Sequence, residues 1–226
     1  MTRVALVTFD VYSALFDIAG SLTGRLREAA GLDEARAAQA FQVWRAKQLE
    51  RAAISNSLCL ARTSFRECTR QALGYVERRF GLALSDASRQ ELVMAWDRLS
   101  PWPEAPRVLE TLASRGYLLA LLSNGDRDML QALATSLAVP FAHIYSSEDA
   151  GTYKPHPAMY ELPMRTPGLA RAALLHVAGA AGDALGATAA GVQCYWSNRT
   201  GDVLLDPAYA PAFSGIGLEG LLELLP

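Results

Sequence analysis

Polar residues at the ends of four apolar runs have the types needed for nucleophilic chemistry. Asp10 follows the run VALVTF, Val4–Phe9. Ser123-Asn124-Gly125-Asp126 closes the run YLLALLS, Tyr117–Ser123. Lys154 and Tyr160 lie in YKPHPAMY, and Asp183 lies in GAAGDALGA. A carboxylate is a nucleophile when it stays ionised and is held in place. Burial alone would raise its pKa and neutralise it. A lysine within a few ångströms favours the charged form and can replace a metal cation in that role. Ser123, Asn124 and the turn amides around Gly125 can hold a substrate carboxylate, and Asp183 can orient water or Lys154. Each residue also has a plainer role when taken alone. Strand-end Asp and Asn cap helices or make turns, a lone lysine suits a surface, and Asp183 suits the first turn of the helix it begins. Their recurrence at successive strand ends is what points to a site.

The elements that must position them are short. The runs Val4–Phe9, Tyr117–Ser123, His143–Ser147, Leu174–Gly179 and Val192–Trp196 are apolar almost throughout. That pattern predicts strands of a parallel sheet covered on both faces. Helical patterns fall between them, at Glu104–Ser114, Arg127–Ser136, Pro157–Leu162 and Asp183–Ala190. The alternation predicts an α/β, doubly wound, Rossmann-like parallel sheet, whose ligands bind beyond the carboxyl ends of the strands. The segment Asp17–Leu99 breaks the rhythm. GRLREAAG, EARAAQAFQVWRAKQLERAA, SFRECTRQALGYVERRFG and SDASRQELVMAWDRL all read as amphipathic helices. Ser85 with Asp86 makes a helix start, and Gly31, Gly74 and Gly81 are placed near helix ends. SPWPEAP, Ser100–Pro106, reads as a stiff return connector. The expected organisation is therefore a core of residues 1–16 and 100–226, with a helical cap domain, 17–99, inserted after the first strand. DPAYAPAF and GIGLEGLLELLP at the C-terminal end read as a loop and a closing helix without chemistry.

Composition narrows the function classes. With 226 residues, 51% hydrophobic and 19% charged, the chain can build a sizeable core, and wholesale disorder is excluded. Lys plus Arg is 21 against 23 for Asp plus Glu, which leaves no basic face for nucleic acid. Cys59, Cys68 and Cys194 form no CxxC and no metal spacing with the three histidines, as expected of thiols in a reducing compartment. No signal-peptide pattern opens the chain, and no apolar run reaches the ~18 residues of a membrane span. The expectation is a cytoplasmic protein with no metal, no cofactor and no membrane partner.

FDVYSALFD, LLSNGD, YKPHPAMY and GDALGA, in this order around a helical insertion, resemble the haloacid dehalogenase superfamily. The likeness covers essentially the whole chain and is strongest to the L-2-haloacid dehalogenases (type II), whose first motif reads FDxYGTLFD. Tyr12 fits that branch; the phosphatase branches carry a second Asp there for magnesium. The resemblance implies that Asp10 attacks Cα of a 2-halocarboxylate in line, inverting the centre and leaving an aspartyl ester that water cleaves. It implies Lys154 beside the nucleophile, Asp183 in the hydrolytic step, and Ser123 and Asn124 at the substrate carboxylate. Val11, Tyr12 and Tyr160 join the substrate-binding set. VWRAKQLE resembles the family's WRxKQLE, which puts Arg45 at the arginine facing the leaving halide. A guanidinium is a weakly hydrated, permanent cation and suits that task. Phe65 matches an aromatic of the halide pocket. The implied partners are a small-molecule carboxylate and the halide product. The family is often dimeric, which makes a homodimer one option.

Several positions depart from the family pattern. Ala14 replaces a threonine whose hydroxyl would bond the nucleophile, so Asp10 is expected to lose a contact worth about 1 kcal/mol. Where the family often reads VSSNAWD, this chain reads VAGAAGD, Val177–Asp183, with Ala178, Ala180 and Gly182 in place of serine, a water-orienting asparagine and a bulky tryptophan. The Gln after the arginine becomes Ala46. Fewer groups are left to hold hydrolytic water, and the pocket is expected to be larger than one built for chloropropionate. Three alternatives stay open. Asp10 could open a strained C–N or C–O bond beside a carboxylate. The chain could be a magnesium phosphatase, against which stand Tyr12 and Ala187, four residues after Asp183. It could be a degenerate binding protein, against which stand Asp10, Lys154, Asp183 and Arg45.

Overall fold

A computed structural model of the chain describes residues 4–58 and 61–226, so Cys59 lies outside the described residues. The chain forms two compact units, one of residues up to Phe16 with Pro101–Pro226, the other of Asp17–Ser100.

The first unit is built on a six-stranded sheet. Strand β1 (Leu6–Phe9) lies inside it. Two short strands, β2 (Phe16–Asp17) and β3 (Ser100–Pro101), pair with each other at the two chain crossings. The sheet continues with β4 (Leu118–Ser123), β5 (His143–Ser146), β6 (Leu174–Ala178), β7 (Gln193–Ser197) and β8 (Phe213–Gly215), in the order β5-β4-β1-β6-β7-β8. Every pairing within the six-stranded sheet is parallel. All of β1 and β6 is buried, and β4 is buried except at Leu118, which is why these strands read as unbroken apolar runs rather than alternating ones. The order reverses at β1, so the crevice beyond its carboxyl end is the switch point of the sheet. Phe9 pairs with Leu121 on one side and Val177 on the other, which brings Asp10, Ser123 and the β6 end to one level.

The second unit is helical, with α1 (Ile18–Ala30), α2 (Glu34–Ser57), α3 (Phe65–Phe80) and α4 (Asp86–Met94). The side chains of Asp33, Ser64 and Ser85 cap the starts of the last three. Gly31 and Gly81 take left-handed conformations at the ends of α1 and α3, where only glycine avoids a Cβ clash. Gly74 instead lies inside α3. In the first unit, α5 (Ala105–Ser114), α6 (Arg127–Ser136), α7 (Ser147–Ala150), α8 (Pro157–Tyr160), α9 (Ala181–Ala189) and α10 (Leu221–Leu224) complete the fold.

Four further expectations need correction. The C-terminal loop contains β8, which is only three residues long and half exposed, too short to carry a strand signal. The helix expected over Pro157–Leu162 ends at Tyr160, and the chain tightens into a 3₁₀ turn at Leu162–Arg165 whose Pro163 has no N–H to continue it. The third strand stops at Ser146 because that residue is claimed by a capping box that opens α7. The helix expected from Asp183 begins at Ala181, so Asp183 stands inside its first turn. Among the described residues no helix is long and apolar enough to cross a membrane.

Candidate active site

Asp10 is the residue after β1 and caps a single π-helical turn, Val11–Leu15. The turn folds the chain back over the carboxylate. The Ser13 N–H donates to Asp10 Oδ2 at 3.1 Å, and the Ser13 hydroxyl donates to the same oxygen at 3.0 Å. The Trp102 indole N–H holds the turn from outside by donating to the Ser13 carbonyl at 3.1 Å. Beyond β6, Gly179 accepts the turn by close approach. A Cβ there would lie 2.3 Å from the Ala14 nitrogen, so only glycine fits. Val11 and Tyr12 are buried, with the Tyr12 ring against Gly125 and its hydroxyl 3.9 Å from Met129 Sδ.

Lys154 enters from the segment after α7. Its backbone N–H donates to Asn124 Oδ1 at 2.8 Å, which pins the lysine to the end of β4. Its ammonium donates to Asp183 Oδ2 at 2.9 Å and to Asp10 Oδ1 at 3.3 Å. Ser123 Oγ also reaches Asp10 Oδ1, at 3.4 Å. The Asn124 and Gly125 carbonyls accept from Ser147 and Ser146 hydroxyls, each at 2.7 Å, so the turn that carries Ser123 and Asn124 is tied to the start of α7. Asp183 is fully engaged. Tyr160 OH donates to its Oδ1 at 2.8 Å, and His176 Nε2 lies 3.1 Å from its Oδ2. His176 is sealed at 0% exposure, with Nδ1 3.0 Å from Thr8 Oγ1 on the neighbouring strand. Lys154 Nζ also lies 3.4 Å from His176 Nε2, so the imidazole is wedged between the ammonium, Asp183 and Thr8.

Electrostatics follow from this packing. Burial alone would raise the Asp183 carboxyl, but the Lys154 ammonium and the His176 ring more than offset it and hold it far below the ordinary carboxylate range. Burial alone would lower Lys154, but Asp183 and then Asp10 more than offset that, and its pKa ends above the ordinary value. Burial, reinforced by the Asp183 charge, pushes the Tyr160 phenol well above its usual value, so it stays a donor. The unit therefore holds a buried cluster in which one ammonium contacts two carboxyl groups.

Lys154 stands in the position a divalent cation would need between Asp10 and Asp183. Among the described residues, no group of three His, Cys, Asp or Glu side chains has metal-binding geometry. This donor set does not fit magnesium, which wants clustered carboxylates and phosphate oxygens.

The structure thus brings Asp10, Ser123, Asn124, Lys154, Tyr160 and Asp183 together in one unit. Arg45 and Phe65 belong to the helical unit. There the Arg45 guanidinium donates to Gln48 Oε1 at 2.6 Å and lies 5.5 Å from the Trp96 ring centroid. Gln48 in turn donates to Thr69 Oγ1 at 2.5 Å, and Thr69 to the Phe65 carbonyl at 2.8 Å, so Arg45 and Phe65 are linked through α2 and α3. Two residues at the core site were not singled out from sequence. His176 is the one polar side chain in the run LLHVA, and an isolated imidazole in an apolar strand was the available signal. Ser13 changes the expectation for Ala14: the methyl at position 14 is buried, and the hydroxyl on Asp10 comes from the preceding residue.

A family model described as haloacid dehalogenase-like hydrolase matches residues 4–191. An (S)-2-haloacid dehalogenase of Pseudomonas sp. (strain YL) is 36% identical over 226 residues, spanning 99% of this chain and 95% of its own length. The crystal structure of an L-2-haloacid dehalogenase superposes with a TM-score of 0.91 at 30% identity, covering 99% of each chain. The L-2-haloacid dehalogenase of Xanthobacter autotrophicus with chloropropionic acid covalently bound matches with a TM-score of 0.83 at 27% identity, over 99% of this chain and 98% of that one. The fold is that of the L-2-haloacid dehalogenases, a parallel α/β sheet with helices. The chain belongs to the haloacid dehalogenase-like hydrolase family.

Proposed function

We propose that the chain is a metal-independent dehalogenase of 2-halocarboxylates. The observation that carries this reading is the buried Asp10–Lys154–Asp183 cluster, in which an ammonium supplies the positive charge that the phosphatase branches take from magnesium. An Asp10 oxygen attacks Cα of an (S)-2-halo acid. The C–O bond forms as the C–X bond breaks, and the electron pair leaves with the halide. The centre inverts and an aspartyl ester remains. Water then adds to the Asp10 ester carbonyl carbon, the alkoxide leaves and takes up a proton, and Asp10 returns to carboxylate with net release of one proton. The products are an (R)-2-hydroxy acid and halide. Ser123 and the amides of the Asn124–Gly125 turn take the substrate carboxylate, Val11 and Tyr12 back the substrate, and Tyr160 fixes Asp183. Arg45 takes the departing halide and Phe65 lines its pocket. Asp183 acts chiefly by holding Lys154, since a carboxylate kept so far below its ordinary range is a weak base for water.

Gly182, where the family often carries a bulky tryptophan, is the ground for a preference for a bulkier 2-substituent than the methyl of chloropropionate. Halide release from a panel of (S)-2-halo acids tests both points. The expected result is turnover that Asp10→Asn abolishes, with 2-chloropropionate slower than longer or branched acids. Equal turnover by Asp10→Asn would sink the nucleophile; a panel led by 2-chloropropionate would sink the larger pocket. Metal-dependent hydrolysis of p-nitrophenyl phosphate would favour a phosphatase instead.

A further inference from the structure

Asp10 is held by four donor contacts sorted by oxygen. Oδ1 faces Lys154 Nζ at 3.3 Å and Ser123 Oγ at 3.4 Å, both at the long end of hydrogen bonding. Among the described residues, Oδ2 receives only Ser13, through its N–H at 3.1 Å and its hydroxyl at 3.0 Å. The shorter contacts, and so the firmer restraint on rotation of the carboxylate, come from one residue of the π-turn. Position 14, whose side chain is a fully buried methyl, supplies no polar atom to this oxygen.

Resting on the dehalogenase reading above, we infer that Ser13 is a positioning residue for the nucleophile, its hydroxyl fixing the plane of the Asp10 carboxylate for in-line attack. Without the hydroxyl, Oδ2 keeps one donor and the carboxylate is otherwise restrained only by the two longer contacts on Oδ1. The hydroxyl adds a second anchor on the same oxygen, and two anchors define a plane. In-line displacement needs the attacking oxygen within a narrow range of distance and angle from Cα. The role is separate from substrate capture, because the carboxylate-binding groups Ser123 and Asn124 belong to a different turn. It is also separate from capping, because the Ser13 N–H is a backbone group that survives any substitution except proline.

The test uses the full chain with a 2-halo acid that the wild type turns over. Ser13→Ala and Ser13→Cys are expected to lower kcat by about one to two orders of magnitude, the range of a charge-assisted hydrogen bond, with KM within about twofold of wild type. Ser13→Thr keeps the hydroxyl and is expected to retain most of kcat. The pair Ser13→Ala with Ala14→Thr returns a hydroxyl from the next position and is expected to recover part of the loss. A purely structural role would appear as a lower melting temperature with an undiminished kcat in the folded fraction. The inference is overturned if Ser13→Ala and Ser13→Cys stay within about twofold of wild type in kcat, or if their loss lies in KM alone. These results, with wild type active, leave the dehalogenase reading standing. A wild-type chain that releases no halide from any acid and gains no mass on Asp10 overturns that reading and this inference together.

Discussion

Lys154 decides the charge balance of the core site, since one ammonium serves Asp10 and Asp183 at once. Replacing it with methionine keeps much of the volume and leaves two buried carboxylates without a cation. Breaking such a buried arrangement costs about 3–5 kcal/mol, so Lys154→Met is expected to lose halide release and to unfold at clearly lower urea. The pH dependence has a definite sign. Asp183 is depressed below its ordinary value, so its contribution to stability is present above about pH 4 and lost as acid takes the pH down through the folded value. Lys154 is raised above its ordinary value, so its contribution is present below about pH 10 and lost as the pH climbs beyond. In Lys154→Met burial is no longer offset by the ammonium and raises the Asp183 carboxyl, so the stability difference between wild type and variant should be greatest on the alkaline side of neutrality, shrink as acid neutralises the variant's carboxyl, and shrink again as the pH climbs past about 10. Urea titrations at spaced pH values check it; a difference that grows as the pH falls from neutrality would contradict the assignment. Asp10 and Asp183 stood out in the sequence as acids just beyond apolar runs, and Lys154 through the YKPHPAMY stretch that resembles the family motif. Ser13 and His176 did not, because their bonds depend on geometry that spacing does not disclose. A serine three residues beyond an aspartate reaches it when the aspartate caps the turn between them, as Asp10 does here.

At the scale of elements, the strands were readable where both faces are covered. β1, β4 and β6 are buried nearly end to end, so their sequences are apolar without interruption. β8 escaped because an edge strand of three half-exposed residues resembles a loop. The four long helices of the insertion were readable from their periodicity and from the caps at Ser85, Gly31 and Gly81. The π-turn was not, since nothing in VYSAL marks a turn wider than an α-helical one. Its seat on Gly179 yields a sharp expectation. In Gly179→Ala the new Cβ would lie 2.3 Å from both the Ala14 nitrogen and the Ser13 carbonyl carbon, which are backbone atoms and cannot rotate away. The turn must shift, and the Ser13 contacts to Asp10 shift with it. We expect kcat to fall at least tenfold, because misplacement of about an ångström can cost that much or more, while the far-ultraviolet circular dichroism stays native. An alanine variant with unchanged kcat would show that the turn tolerates displacement.

For the whole molecule, the α/β unit gathers Asp10, Lys154 and the hydrogen-bonded Asp183, and the helical unit holds Arg45 in a network with Gln48 and Trp96. The resemblance to the L-2-haloacid dehalogenases assigned roles across both units from motifs alone. The substitutions at Ala178, Ala180 and Gly182 mark where this chain is expected to differ in pocket size and in how water is held. The central claim is that Asp10 forms and releases an ester. It is tested by letting the enzyme turn over a 2-halo acid many times in heavy-oxygen water and then measuring the mass of the peptide that contains Asp10. The account predicts heavy oxygen in the Asp10 carboxylate, and a trapped substrate adduct on the same peptide when the reaction is quenched early. Heavy oxygen in the hydroxy acid alone, with none in that peptide, would show that water attacks the substrate directly and would contradict it.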